Sequence, residues 1–342
     1  MTTRYRILVA VVLIALLTSL AACAAAPTPG GSAPSTASDA PAASERLKVV
    51  ATTTIVGDVV RQVAGDAVDL TVLLPAGADP HGFQPTPQDA ALIATADLVF
   101  INGLDLEEFL DRLIQNAGGS ARVVAVSDGI ETMEGHHEHE GEEHEGEQHE
   151  GEEHEGEEHE GEEHDKEGAD PHVWMDPNNV RVWTRNIAAA LSELDPANAA
   201  AYQANAERYD QALQALDAWI NEQIAQIAPE NRQMVVDHDA FGYFARRYGF
   251  ETVGTVVPGY STMSAPSAQE LARLQDAIRA LGVKAVFVGE TVNPALAQRV
   301  ADDTGTRLVF LFTGSLSEPG GNADTYESFT RYNVNAIVEA LK

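Results

Sequence analysis

The chain has 342 residues, of which 44% are hydrophobic and 22% charged, so it is long enough for two ordinary domains with hydrophobic cores and is not disordered as a whole. Its formal net charge of -32 argues against nucleic acid as a partner, because phosphate binding needs clusters of Lys and Arg that the sequence lacks. The single cysteine excludes an intramolecular disulfide and a zinc site built on several thiolates.

The N-terminus has the pattern of an export signal. Arg4 and Arg6 form a short positive region, and a nearly unbroken apolar run follows from Ile7 to Leu20. At about 14 residues, this run is short for a transmembrane helix of about 20. The stretch "LAAC" then ends at Cys23 and resembles the lipobox of bacterial lipoproteins, in which the cysteine is lipidated and becomes the first mature residue. We therefore predict a lipoprotein signal peptide over residues 1–22.

The segment after Cys23 is rich in Ala, Pro, Ser and Thr and has almost no large apolar residue. Such a composition cannot bury enough surface to fold and behaves as a flexible linker. Residues 23–45 are therefore predicted to be a tether. Together with the lipidated cysteine, it would hold the folded protein at the outer face of the bacterial cytoplasmic membrane.

From Leu47 onward, short β-branched runs alternate with helical stretches, which is typical of βα units and parallel sheets. The first four predicted strands span residues 47–54, 69–75, 97–102 and 121–127. They predict an N-terminal α/β lobe over residues 46–133.

Residues 134–170 form an acidic insertion with a repeated "EGEEH" unit and about nineteen carboxylates. It has like charges and almost no apolar residue, so we predict a disordered loop. One interpretation is a solvated spacer. The other is a weak collector that keeps captured metal ions close to the folded lobes. The collector interpretation assigns low-affinity metal binding to eight histidines: His136, His137, His139, His144, His149, His154, His159 and His164.

After the insertion, residues 171–195 are predicted to complete the first lobe, and residues 196–228 to form one long helix. Apolar residues recur there at helical spacing: Tyr202, Ala206, Tyr209, Leu213, Leu216, Ile220, Ile224 and Ile227. This stripe fits a core helix, a coiled-coil arm or a strut packed along two lobes. Because the βα pattern resumes immediately afterwards, we favour the strut.

Four more predicted strands follow, over residues 233–238, 252–257, 284–289 and 306–312. They predict a second lobe over residues 229–342. The expected fold is α/β, with two lobes that each contain a four-stranded mostly parallel sheet and flanking helices, joined by one long rigid α-helix. A cleft should lie between the carboxyl ends of the strands, where open α/β sheets usually bind ligands.

Three histidines remain outside the acidic insertion, and each follows a predicted strand or a junction that faces this cleft: His81, His172 and His238. The sequence "ADPH" occurs before two of them, at residues 78–81 and 169–172. Spacing alone leaves open whether they are unrelated loop residues or a shared metal site. In the second case three imidazoles favour zinc and leave one coordination position open.

Four stretches carry a resemblance to a known family: "LLPAGADPHGFQPTPQD", "ADPHVWMDPNN", "DHDAFGYFARRYG" and "LFTGSLSEPGGNADTYESFTRYN". In this order they resemble the motif regions of the metal-binding receptors of ABC transporters for zinc and manganese, in particular zinc receptors with a histidine-rich loop. The resemblance covers the chain from about Lys48. It implies two βα lobes linked by a rigid helix, with metal held between them, and a permease with its ATPase as partners.

The resemblance also implies the ligands. The first three fall on His81, His172 and His238; manganese-type relatives often have glutamate at the third position, so His238 is similar to the zinc type. At the fourth position, where many relatives have aspartate, this chain has Gly314. Water, a loop histidine or Glu290 are the alternatives for that ligand, and Glu290 is otherwise expected at the lobe interface.

Asp237 and Asp239 flank His238, and either could orient its imidazole. The alternative for both is a structural role at the end of a strand.

We therefore expect a monomeric, lipid-anchored, extracytoplasmic receptor that binds zinc and delivers it to a membrane permease, and not an enzyme. A manganese or iron receptor of the same family is the first alternative. A zinc hydrolase with Glu290 or Asp239 as general base is the second, although the sequence has no HExxH helix. A surface adhesin or metal buffer is the third.

Overall fold

The computed structural model describes residues 46–133 and 168–342, and all structural statements below refer to them. The predicted signal peptide, Cys23, the tether and the eight histidines of the acidic insertion lie outside the described residues. Within those residues, no helix is long and apolar enough to cross a bilayer.

Eight strands and nine α-helices make up the described part of the chain. The strands are β1 (Leu47–Ala51), β2 (Val68–Val72), β3 (Leu98–Ile101), β4 (Arg122–Ala125), β5 (Gln233–Val236), β6 (Glu251–Thr255), β7 (Ala285–Gly289) and β8 (Arg307–Leu311). The helices are α1 (Thr54–Ala64), α2 (Pro87–Thr95), α3 (Leu110–Ala117), α4 (Pro177–Leu194), α5 (Ala199–Ile224), α6 (Gly242–Tyr248), α7 (Ala268–Leu281), α8 (Ala295–Thr304) and α9 (Tyr326–Leu341). Two short 3₁₀ helices, Val173–Met175 and Pro229–Asn231, precede α4 and β5.

The strands form two separate four-stranded sheets, with orders β2-β1-β3-β4 and β6-β5-β7-β8. Every strand pair in both sheets is parallel. In each sheet the chain first moves to one side of the initial strand and then to the other, so the order reverses between β1 and β3 and between β5 and β7. Loops diverge at such a reversal and leave a crevice at the carboxyl edge of the sheet. The predicted two-lobed α/β fold is confirmed.

One hydrophobic core passes through both lobes. Alternate residues of β1 and β5 point into it, including Val49, Ala51, Met234 and Val236, together with the apolar faces of helices α1, α4, α5 and α9. The opposite faces of the two sheets have cores of their own, one against α2 and α3 and one against α7 and α8. The two sheets are therefore joined through a shared layer of helices.

The long linking helix is α5, which has 26 residues and buries the predicted stripe from Tyr202 to Ile224. It is shorter than the predicted range 196–228. At its C-terminal end the amides of Gln226 and Ile227 bond to carbonyls three residues back, at 3.0 Å each, so the last turn tightens and the α-helix stops at Ile224.

Candidate metal centre

The three histidines outside the insertion meet at the carboxyl edges of the two sheets. His81 lies in the loop after β2, His172 comes just before the first 3₁₀ helix, and His238 lies two residues after β5. Each offers a ring nitrogen, and these three atoms lie within 4.8 Å of one another. The Nε2 atoms of His81 and His172 are 3.1 Å apart. Within the described ranges, 46–133 and 168–342, this is the cluster of ligand-type side chains suited to a metal ion.

A carboxylate fixes the ring of His172. Asp170 Oδ1 lies 2.9 Å from His172 Nδ1 and also accepts the backbone N–H of His172 at 2.9 Å. With its proton on Nδ1, His172 donates to Asp170 and keeps the Nε2 lone pair free for a metal. Asp170 was assigned to the disordered loop from the sequence, but it is buried in the folded lobe and its amide donates to the carbonyl of Met133.

His238 has the same arrangement in the second lobe. Asp237 Oδ1 lies 3.0 Å from His238 Nδ1 and accepts the His238 backbone N–H at 2.9 Å, while Oδ2 accepts the N–H of Gly289 at 2.8 Å. Of the two flanking aspartates named from the sequence, Asp237 contacts the ring through this bond, and the negative charge of Asp239 also acts to raise the pKa of His238. A Cβ at Gly289 would lie 2.3 Å from Thr313 Oγ1 and 3.1 Å from Asp237 Oδ2, so only glycine fits there.

The repeated "ADPH" is a turn that presents a histidine. In the first copy Asp79 Oδ1 accepts the N–H of His81 at 3.0 Å, as Asp170 does for His172. This aspartate-to-amide bond two residues on is an Asx-turn. Asp79 Oδ2 instead accepts the hydroxyl of Thr262 from the second lobe, at 2.6 Å.

Burial keeps two of the three imidazoles neutral. It is the main cause that lowers the pKa of His81 to about 3, and the neighbouring His172 and His238 lower it further. Burial also lowers the pKa of His172 well below its usual value. For His238, burial lowers the pKa, but the hydrogen bond and negative charge of Asp237 outweigh it, and the net pKa is raised.

The two orienting carboxylates differ in charge state. Burial raises the pKa of Asp170 to about 7, against the bond from the His172 amide. Burial also acts to raise the pKa of Asp237, but its bonds to His238 and Gly289 outweigh this and leave the pKa below its usual value. Asp237 is therefore ionised at neutral pH, and Asp170 is only partly so.

Trp174 joins the cluster to the second lobe. Its ring contacts the ring of His172 edge to face, with centroids 5.2 Å apart, and its Nε1–H donates to the carbonyl of Thr313 at 2.9 Å. Its own carbonyl accepts the hydroxyl of Tyr326 at 2.7 Å. Sequence reasoning did not find this role, or that of Asp170.

Water, a loop histidine and Glu290 were the predicted alternatives for a fourth ligand, and the loop histidines lie outside the described residues. Glu290 is exposed and lies outside the three-histidine cluster. Gly314 lies against Pro80, the residue before His81. Within the described residues, the cluster therefore consists of three imidazoles.

Comparison with known proteins agrees with this architecture. The family model described as "ZnuA: Zinc-uptake complex component A periplasmic" matches residues 49–340. The chain is 33% identical over 298 residues to the manganese-binding lipoprotein MntA of Halalkalibacterium halodurans, covering 87% of this chain and 89% of that one. It is 30% identical over 306 residues to the manganese ABC transporter substrate-binding lipoprotein PsaA of Streptococcus pneumoniae, with 87% and 90% covered.

Solved structures have the same fold. The periplasmic zinc binding protein TroA from Treponema pallidum superposes with a TM-score of 0.73 at 28% identity, covering 87% of this chain and 99% of that one. The Mn-bound periplasmic metal binding protein of Candidatus Liberibacter asiaticus gives 0.70 at 27% identity, with 87% and 100% covered, and a Cd-bound form of it matches as well. The chain therefore belongs to the family of ZnuA, the periplasmic component A of the zinc-uptake complex.

Proposed function

We propose that this protein captures zinc in the cleft between its lobes, with His81, His172 and His238 as ligands, and delivers it to a membrane permease. That it is a substrate-binding protein of a metal ABC transporter follows from its family, which consists of solute-binding receptors and not enzymes. The permease and its ATPase are the partners that this role implies. The choice of ion and of ligands is our proposal.

The observation that supports zinc is the composition of the cluster, which has three ring nitrogens and no carboxylate. Neutral imidazole is a good ligand for Zn²⁺, at about 2.0 to 2.1 Å, whereas Mn²⁺ favours carboxylate, carbonyl and water oxygens. The names of relatives do not decide the ion, since MntA and PsaA are named for manganese and TroA for zinc. The donor set of this chain supports zinc over manganese.

The pKa values of the ligands also support capture of a cation at neutral pH. Metal binding needs deprotonated ligands. The lowered pKa values of His81 and His172 keep their ring nitrogens deprotonated and available to a metal. Because the pKa of His238 is raised, His238 is the one ligand of the three that must release a proton when the ion binds. The anionic Asp237 behind His238 offsets part of the ion's charge.

In the cell, we place the protein at the outer face of the bacterial cytoplasmic membrane, held as a monomer by a lipid on Cys23. The acidic insertion would collect ions at low affinity and keep them near the cleft. These parts of the proposal rest on the sequence alone.

The test is a competition between zinc and manganese for the purified mature chain, with the bound metal quantified after dialysis. We expect one tightly bound zinc per chain and much weaker manganese binding. His238→Ala should remove the tight event, because two imidazoles remain. Tighter binding of manganese than of zinc would refute the choice of ion, and unchanged zinc binding by His238→Ala would refute the ligand set.

A further inference from the structure

We propose that Tyr243 is a positioning residue for the metal centre: its hydroxyl holds together Met133 and Asp170, on either side of the acidic insertion, and so keeps the insertion from displacing His172. The inference rests on the proposed function, because it takes His172 as a zinc ligand. Tyr243 belongs to α6 of the second lobe, whereas the two residues that it joins belong to the first lobe.

The Tyr243 hydroxyl takes the place of one backbone hydrogen bond between Met133 and Asp170. The N–H of Asp170 donates directly to the carbonyl of Met133 at 2.8 Å. In the other direction, the N–H of Met133 donates to the Tyr243 hydroxyl at 3.2 Å, and this hydroxyl donates to the carbonyl of Asp170 at 2.9 Å. A hydrogen-bonded pair in an antiparallel ladder would exchange both bonds directly. Here one of them passes through a side chain, so the pairing depends on Tyr243.

The surroundings of Tyr243 fix its position. The residue is buried, and the guanidinium of Arg246 lies over its ring, 5.3 Å from the centroid. A Cβ at the preceding Gly242 would lie 2.8 Å from Asp170 Oδ2 and 3.5 Å from Met133 Cε, so the first turn of α6 packs directly against the paired residues. The hydroxyl is therefore a fixed anchor for both backbone groups.

The metal ligand His172 lies two residues beyond this pairing. The Asp170 carboxylate contacts the ring nitrogen Nδ1 of His172 and accepts its amide, at 2.9 Å each. The carbonyl of Pro171, between them, accepts the side-chain N–H of Asn102 at 3.1 Å. The carbonyls of residues 170 and 171 are thus held by opposite lobes. A displacement of Asp170 would move the carboxylate that orients the His172 imidazole.

The chain between Met133 and Asp170 opposes their pairing. Bringing the ends of a loop together costs conformational entropy, and this cost grows with the length of the loop. The acidic insertion, residues 134–170, also has about nineteen carboxylates, whose mutual repulsion favours separation of the ends. Both effects would be relieved if the chain frayed at its base, towards His172. The two hydrogen bonds of Tyr243 resist this fraying.

The first test is Tyr243→Phe in the mature chain, which removes the hydroxyl and keeps the buried ring. Zinc affinity, measured by competition against a chromophoric chelator, should fall by about tenfold, as it does when a metal-bound histidine loses its orientation. Tyr209→Phe is the matched control, because Tyr209 is also buried and its hydroxyl has no hydrogen-bond partner among the described residues. Its zinc affinity should stay within about twofold of the parent, since no hydrogen bond is lost.

The same substitution in a chain without residues 136–164 distinguishes this role from a general role in packing. The deletion shortens the chain between Met133 and Asp170 about fivefold, which makes its closure about tenfold more favourable. Tyr243→Phe should therefore reduce zinc affinity by less than about threefold in the shortened chain. Loss of fold in both the long and the short chain, seen in thermal melts without metal, would show a purely structural role and overturn the inference.

Hydrogen exchange followed by NMR gives a second readout that involves no metal. The amide of Asp170 donates to Met133 and not to Tyr243, so its own hydrogen bond survives the substitution. If the hydroxyl holds the pairing closed, this amide should exchange about tenfold faster in metal-free Tyr243→Phe, through more frequent local opening. In Tyr209→Phe its exchange rate should equal that of the parent.

Three further results would overturn the inference: parental zinc affinity in Tyr243→Phe, equal losses of affinity in the long and the short chain, or an unchanged exchange rate of the Asp170 amide. Failure of the proposed function looks different, because the unmodified chain would then prefer manganese, or His238→Ala would still bind zinc tightly. The exchange rate of the Asp170 amide would in that case still decide whether Tyr243 holds the two segments together.

Discussion

Replacing Asp237 with asparagine should weaken zinc binding more than the same change at Asp170. The Asp237 carboxylate accepts three hydrogen bonds, from the ring and the amide of His238 and from the amide of Gly289, at 3.0, 2.9 and 2.8 Å. Asparagine has one acceptor oxygen and one donor group in the same shape. In either rotamer its NH₂ faces a donor, so at least one buried N–H loses its partner.

The expected loss of zinc affinity can be estimated from these hydrogen bonds. Loss of a carboxylate behind a metal-bound histidine reduces metal affinity by about 10- to 100-fold, which corresponds to about 1.4 to 2.7 kcal/mol. Asp237 belongs at the upper end, because its pKa is held below the usual value and it is fully ionised at pH 7. Asp170 belongs at the lower end: burial raises its pKa to about 7, so near neutral pH it is already partly protonated.

The pH dependence of zinc affinity distinguishes an effect of Asp237 on the His238 imidazole from a general loss of protein stability. Asp237 raises the pKa of His238. Protons therefore begin to compete with zinc for this imidazole at a higher pH than they would for an ordinary histidine. In Asp237→Asn the charges of Asp79 and Asp239 still raise that pKa, but the larger contribution of Asp237 is lost while burial still lowers it. The pKa of His238 therefore falls, and the competition between protons and zinc moves to lower pH. The affinity ratio of parent to variant should therefore be largest at pH 8 and narrow towards pH 6.

Competition titrations against a chromophoric chelator at pH 6, 7 and 8 measure both the loss of zinc affinity and its pH dependence. Asp276→Asn is the control for charge, because that aspartate is exposed on α7 with its carboxylate paired to Arg279. The reasoning would be refuted if Asp170→Asn lost as much zinc affinity at pH 7 as Asp237→Asn, or more. It would also be refuted if the affinity ratio of parent to Asp237→Asn did not change with pH.

Four further outcomes are expected. Zinc affinity of the unmodified chain should fall between pH 8 and pH 5 as His238 protonates, and a flat profile by calorimetry would contradict the three-histidine site. His238→Glu should shift preference towards manganese in competition assays, since it adds an oxygen ligand. Gly289→Ala should weaken zinc binding about tenfold and lower the Tm, because its Cβ would collide with Thr313 and press on Asp237. Deleting residues 136–164 should leave the tight calorimetric event intact and impair uptake only when zinc is scarce.

The fold could be predicted from sequence because its signals are local. All eight predicted strands were β-branched runs bounded by turns, and each overlaps an observed strand. The stripe from Tyr202 to Ile224 indicated α5 by its helical period. The helix end was less predictable. Ile227 continues the apolar pattern and is buried, yet it belongs to a tightened turn that periodicity cannot distinguish from an α-helix.

The three clustered histidines could be predicted because parallel strands align their carboxyl ends, so residues distant in sequence follow strands that share an edge. Their surroundings could not. The bond from Asp170 to the His172 ring depends on a side-chain rotamer, and the role of Trp174 depends on contact with Thr313, far away in sequence. A signal for Asp170 was present in the second "ADPH", but only the structure shows that its aspartate caps the turn.

The interface between the lobes limits how an ion reaches the cluster. Trp174 and Tyr326 are 2% and 0% exposed. The Tyr326 hydroxyl donates to the carbonyl of Trp174, and the Trp174 indole N–H donates to the carbonyl of Thr313 across the interface. Exposing one such aromatic side chain costs about 4 to 6 kcal/mol, from about 150 to 250 Å² at about 25 cal/mol per Å². Wide separation of the lobes would expose much of the shared core in addition. His81 is only half-buried and lies on a loop outside that core, so we expect an ion to exchange with solvent on the His81 side, by local movement of its loop.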